Sequence, residues 1–298
     1  MRSISTSTHG PILGSLTAPL LSAFSLSTLA LTFLTPATAP AFAEEPLDVL
    51  LFTRAEGFVH GSISDGIAMI EDIAMEEQHT LTVTAKTDLF TAGSLAAFDV
   101  VVWLSTTGDV LDDPEQAAFE GFIQNGGGYV GIHAAADCEY DWPWYGDLLG
   151  NGAWFRSHPA IQTATLVLED PEHPGAGFPD AMTSFEEEWY NFRANPRPAV
   201  NVLYTLDESS YDPGGGAMGD DHPIVWAHDF QGGRAFYTAL GHRSQTYSDL
   251  RFKNQIRGAI RWAAGAVFSD GFESGDFGDW SRVEPGKLER HRLGFQKP

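Results

Sequence analysis

A single cysteine, Cys138, occurs in the 298 residues, so the chain can form no internal disulfide and no thiolate-rich zinc site. A lone thiol is more often a small buried side chain than a catalyst. Basic residues are scarce: 17 Lys and Arg face 40 Asp and Glu, for a net charge of −23. That balance excludes nucleic acid and anionic membrane surfaces as partners, since both would be repelled. Its plainest use is to keep the chain soluble. Ten histidines are present, yet no two have the His-x-x-x-His or similar spacing of a local metal motif. A clean membrane span is also missing, because Ser and Thr repeatedly interrupt the apolar stretch Leu13–Leu34.

What is present is an ordinary globular mixture, 43% hydrophobic and 19% charged, long enough for one large domain with a full core. Arg2 is the only formal charge before Glu44, and Ala41-Phe42-Ala43 has the small-x-small form of a signal-peptidase site. The reading is a signal peptide over residues 1–43, cut near Ala43, and a secreted or periplasmic product with no membrane attachment after cleavage. A domain over 46–265 follows. From 266 to 298 the composition turns to Gly, Asp and Phe and then to a polar stretch, as in a flexible C-terminal tail.

Within the domain, apolar runs alternate with helical periodicity. Leu47–Phe52 predicts a first buried strand, and Ser62, with Asp65 three places on, predicts the cap of a helix whose apolar face is Ile63, Ile67, Ile70 and Ala74. Thr80–Ala85 and Asp99–Leu104 predict two more strands. Asp113-Pro114-Glu115-Gln116 predicts a capped helix start, with Phe119, Phe122 and Ile123 buried. Tyr129–Ile132 is a fourth strand. Thr163–Leu168 and Val200–Leu206 suit an antiparallel continuation, with an acidic turn between them and a flexible Gly- and Asp-rich loop over Glu208–Asp221. Strand Arg234–Leu240 and a closing helix from about Asp249 complete the domain. Strand–loop–helix repetition of this kind is an α/β fold with a mostly parallel sheet.

The chemistry-bearing residues cluster at strand ends. Gly126–Asp137 reads as a glycine turn, a strand and a sharp elbow with His133 at its tip, Gly131 and Ala135 supplying small flanks. His242 directly follows the last strand and His60 lies in the first strand–helix loop; in parallel sheets ligands gather at such carboxyl-end loops. His158 stands in an aromatic-rich stretch containing Tyr140, Trp142, Trp144, Tyr145, Trp154 and Phe155, equally suited to a satellite core or to sugar stacking. Glu186, Glu187 and Glu188 lie among aromatics, with Tyr190 close by, where one carboxyl could be tuned for acid–base work. Histidines with a carboxylate can move protons near neutral pH or bind a divalent metal, and both uses stay open.

Six segments, in this order, are similar to the ThuA-like (trehalose-utilisation) family: Gly57–Ile63, Gly127–Ala135, Ser157-His158-Pro159, Glu188–Phe192, His222–Trp226 and Gly233–His242. The resemblance implies a flavodoxin-like, class I glutamine amidotransferase-like three-layer sandwich. It implies that His133 stands where those enzymes hold their nucleophilic Cys and His242 where they hold their His. Without a thiolate at the tip, glutaminase activity is not expected. Carbohydrate metabolism is implied instead: an enzyme acting on a keto-sugar or glycoside, with His133, His242 and Glu188 as acid–base candidates and His60, His158, Trp154 and Tyr190 as substrate-binding candidates. A divalent metal is an open cofactor reading, and a small-molecule carbohydrate is the expected partner. A non-catalytic sugar-binding or scaffold domain on the same fold is the alternative.

Overall fold

The structure, a computed structural model, describes residues 45–265; the segments read as signal peptide and tail lie outside them. Nine strands form the central sheet: β1 (Asp48–Phe52), β2 (Thr80–Thr84), β3 (Val100–Leu104), β4 (Gly128–Ile132), β5 (Gln162–Leu168), β6 (Met182–Glu187), β7 (Asn201–Asp207), β8 (Pro223–Phe230) and β9 (Gly233–Thr238). Their order is β2-β1-β3-β4-β9-β8-β7-β5-β6. Neighbours from β2 to β9 run parallel, and those from β9 to β6 run antiparallel. The parallel half has the flavodoxin-like arrangement in which strand order reverses beside β1.

The inner parallel strands are covered on both faces and so are largely apolar. All five residues of β3, Val-Val-Val-Trp-Leu, are buried. The three main helices are α1 (Ile63–Glu77), α2 (Asp113–Gln124) and α3 (Leu250–Ala263). Alternation along β4 shows the layers: a Cβ on Gly128 would meet the Ala263 backbone of α3 at 2.5 Å, whereas the next residue, Tyr129, packs its ring against Phe119 of α2. Successive strand residues face opposite sides, so α3 and α2 cover opposite faces, the expected sandwich.

Local expectations needed four corrections. Ser62 does not cap α1; its hydroxyl donates to the Gly241 carbonyl at 3.1 Å instead. The cap of α2 is Asp112, in a reciprocal capping box with Glu115. The acidic turn is largely strand, since Phe185-Glu186-Glu187 ends β6 and pairs with β5. The loop after β7 is tied down by Glu208, whose carboxylate accepts from the Met218 and Gly219 amides. In each case the deciding partner is distant in the fold or one residue away from the local motif.

Candidate functional site

The elbow is real in the backbone. His133 has φ +53°, a left-handed conformation rare for a residue with a Cβ, and it opens a 3-10 turn, His133–Ala136, rather than an α-helix. Gly131 is required for a reason other than the turn: a Cβ there would lie 2.4 Å from the Tyr129 hydroxyl. The His133 ring is fully buried. Its Nδ1–H donates to the Ala239 carbonyl at 2.8 Å; a carbonyl can only accept, so in the neutral ring the Nε2 lone pair is left free to face the site.

Three more side chains gather around that nitrogen. His242 Nδ1 lies 3.3 Å from His133 Nε2. Glu188 Oε2 lies 3.5 Å from His133 Nε2 and 3.1 Å from His242 Nδ1. The ring of His60 meets those of His133 and His242 edge to face, with centroids 4.8 and 5.3 Å apart. One ligand atom from each of His60, His133, Glu188 and His242 falls within a sphere where all are within 4.8 Å of one another. At the mouth, the half-exposed His158 places Nδ1 3.1 Å from the other Glu188 oxygen.

The cluster is electrostatically coupled. Burial, with the neighbouring His133 and His242, pushes the His60 imidazole down to about 3. Burial raises the Glu188 carboxyl, but the neighbouring His133 and His242 outweigh it and hold Glu188 far below the usual carboxylate range. The Glu188 hydrogen bond pushes His242 up against its burial. Neutral His60 and ionised Glu188 are the forms that bind metal.

These residues fit a divalent metal. His60 Nδ1 is a buried nitrogen with no hydrogen-bond partner, and His133 has one nitrogen on a backbone carbonyl, as metal-bound histidines commonly do. Ligands at about 2.0–2.1 Å from a tetrahedral ion stand roughly 3.4 Å apart, close to the 3.1–3.5 Å separations among His133, His242 and Glu188. Three imidazoles and a carboxylate suit a first-row divalent transition metal rather than calcium or magnesium.

The surroundings hold the donors in place. Glu187, fully buried, accepts from the Glu188 amide at 3.0 Å, the Gly241 amide at 3.1 Å and the Thr246 hydroxyl at 2.6 Å. It thereby locks the edge strand β6 to the turn that carries His242. The neighbouring Glu186 instead faces solvent, paired with Arg243. Tyr190 lies against the His133 ring with centroids 4.4 Å apart, and its carbonyl accepts from His222 Nε2 at 2.8 Å.

Of the residues singled out in the sequence, His60, His133, His158, His242 and Glu188 come together, and Tyr190 backs them. Trp154 does not join the cluster: its ring lies over Gly146, where a Cβ would meet it at 2.2 Å. In the aromatic-rich stretch Trp142 and Tyr145 are core, while Tyr140, Trp144 and Phe155 are half-buried. Cys138 is fully buried, donates to the Ala135 carbonyl and has its thiol pushed strongly up by burial; it is inert in the native fold. The sequence marks Ser62 only as a helix cap and Glu187 only as one carboxyl of three; their bracing contacts with the Gly241 turn carry no local signal.

Among the described residues no helix is long and apolar enough to cross a membrane. No characterised protein matches the chain closely. A ThuA-like protein from Bacteroides uniformis shares its fold, at 23% identity and a TM-score of 0.64 over 77% of this chain and 95% of the other. A ThuA-like protein from Parabacteroides merdae does so at 22% identity and 0.58, over 76% and 93%. Residues 48–263 match the family described as trehalose utilisation, which carries a general role in carbohydrate use, and the chain belongs to that ThuA family.

Proposed function

We propose that this chain is an exported enzyme that acts on a keto-sugar or glycoside of the trehalose type by His and Glu acid–base chemistry assisted by a divalent metal. The observation that carries the reading is the convergence of His60, His133, Glu188 and His242 within 4.8 Å at the carboxyl end of the sheet. These four would hold the metal, which when bound supplies a Lewis acid for a sugar oxygen.

The chain's own groups supply the rest. His158, half-exposed and 3.1 Å from Glu188, is the imidazole at the solvent edge and is placed to take a proton from, or return one to, a bound hydroxyl or the carbon next to a ketone. The Ala239 carbonyl keeps the His133 proton on Nδ1, so that ring offers its lone pair to the site. Tyr190 walls the site on one side and excludes water from the buried His133 face. No thiolate is available for the glutaminase route, because the elbow tip is His133 and Cys138 is buried. Export rests on the N-terminal composition and Ala41-Phe42-Ala43; a mature N-terminus elsewhere than near Glu44 would remove that part.

The test is metal analysis of purified protein followed by assay of 3-keto-disaccharides and simple glycosides with metal-loaded protein, chelated protein and His133→Asn. Asn is chosen because it tolerates the left-handed backbone. Turnover by the loaded wild type, lost on chelation and in the variant, is the expected result. Sugar binding with no turnover under any metal would instead make this a binding or scaffold domain.

A further inference from the structure

The segment Gly57–His60 carries more than a candidate ligand. Phe58 and Val59 are 64% and 66% exposed, while His60 beside them is 6% exposed. Among the described residues Phe58 is the one aromatic ring, histidines aside, left this open to solvent. It is not on a slack loop. Thr107 accepts from the Glu56 and Gly57 amides through its carbonyl at 2.8 and 3.2 Å. Its hydroxyl accepts from the Gly57 amide at 3.2 Å and donates to the Phe58 carbonyl at 2.9 Å. Thr107-Gly108 in turn pairs with Asp137-Cys138, the segment just past the elbow. The open ring is therefore fixed to the same frame as His133.

Its position relative to the site is also fixed. The Phe58 ring meets the His60 ring edge to face with centroids 4.8 Å apart, and His60 meets His133 and His242 in the same way. An apolar face held rigidly beside a polar cluster matches what a pyranose presents, a C–H face with hydroxyls around its rim. In the aromatic-rich stretch Trp142 and Tyr145 are buried and Tyr140, Trp144, Trp154 and Phe155 are half-buried, so none of them presents a ring as open as that of Phe58.

We propose that Phe58, flanked by Val59, is the stacking platform for a sugar ring at the mouth of the site, and so a specificity-determining residue. This rests on the carbohydrate reading above and names the surface that grips the substrate without entering the chemistry. The platform contributes equally to ground and transition state, so its loss raises KM and Kd and leaves kcat near the wild-type value.

The experiment titrates zinc-loaded wild type, Phe58→Ala and Phe58→Trp with trehalose and its 3-keto derivative by calorimetry, alongside metal content, melting temperature and light scattering. Phe58→Ala should weaken binding about tenfold, the scale of a lost aromatic stack, and Phe58→Trp should restore it, with metal content and melting temperature unchanged. Equal affinity in Phe58→Ala and wild type overturns the platform while leaving the carbohydrate reading intact. A dimer that Phe58→Ala dissociates, with sugar affinity unaltered, reassigns the patch to self-association. Wild type that binds neither sugar defeats the carbohydrate reading itself, and the platform with it.

Discussion

His133 Nε2 and His242 Nδ1 stand 3.3 Å apart at the ends of two neighbouring parallel strands. With the His133 proton held on Nδ1 by the Ala239 carbonyl, Nε2 brings a lone pair to this contact. A proton or a cation between the rings, with Glu188 at 3.1 Å from His242, reconciles the approach. The arrangement is thus poised to exchange a proton for a metal, which makes affinity pH-dependent.

Glu188→Gln removes the charge that pushes His242 up. In metal-free protein the His242 resonance, followed by NMR, should titrate at lower pH than in wild type, and zinc affinity should fall. An unmoved His242 titration would mean that the carboxylate is not its partner.

Glu187→Gln should act without touching the metal. A carboxamide cannot accept from the Glu188 amide on one side and from Gly241 and Thr246 on the other. Zinc affinity by chelator competition is expected to drop about 10–100-fold, the usual effect of losing a supporting partner. Wild-type affinity in this variant would show that the brace holds the fold alone.

The stability of the metal-free protein should fall on acidification. His60 is pushed down to about 3 and His173 to about 4, each mainly by burial. Below the ordinary value of 6.5 the unfolded chain therefore binds protons that the folded chain refuses. Each group removes up to about 1.4 kcal/mol per pH unit through that window. The raised His242 works the other way: its contribution is present below 6.5 and fades as pH rises through its folded value. Glu188, held low, contributes in full above its ordinary value of 4.5 and loses that contribution progressively as pH falls below it. Urea midpoints from pH 6.5 to 4.5 should decline, and less steeply in His60→Gln; equal slopes would contradict the assignment.

Gly131→Ala should be destabilising by about 1–3 kcal/mol, as overpacking usually is, because the new methyl meets the Tyr129 hydroxyl. That hydroxyl is itself paired with Tyr145 at 2.7 Å. A wild-type melting temperature would show that the tyrosine pair moves aside freely.

Cys138 should resist iodoacetamide in the native protein and react only on unfolding, given its burial and raised thiol. Cys138→Ala should retain metal binding and any turnover. Rapid native labelling would show that the thiol is accessible after all.

The sequence by itself determined the parallel core, the antiparallel continuation and the elbow. These depend on local information: a Val-rich run suits a strand covered on both faces, and small flanks mark a tight turn. It also named His60, His133, His158, His242 and Glu188 as separate candidates. Only the tertiary structure decided that they form one site, because their meeting depends on sheet order, register and the return of the β6 edge strand to the Gly241 turn. The same long-range contacts separated Glu188 from Glu186 and Glu187, moved Ser62 from a helix cap to the Gly241 carbonyl, and buried Trp142 and Tyr145 of the aromatic-rich stretch. Hydrogen bonds between residues far apart in the chain leave no periodic trace, so a sequence can show which groups are able to do chemistry while packing alone selects the ones that share a site.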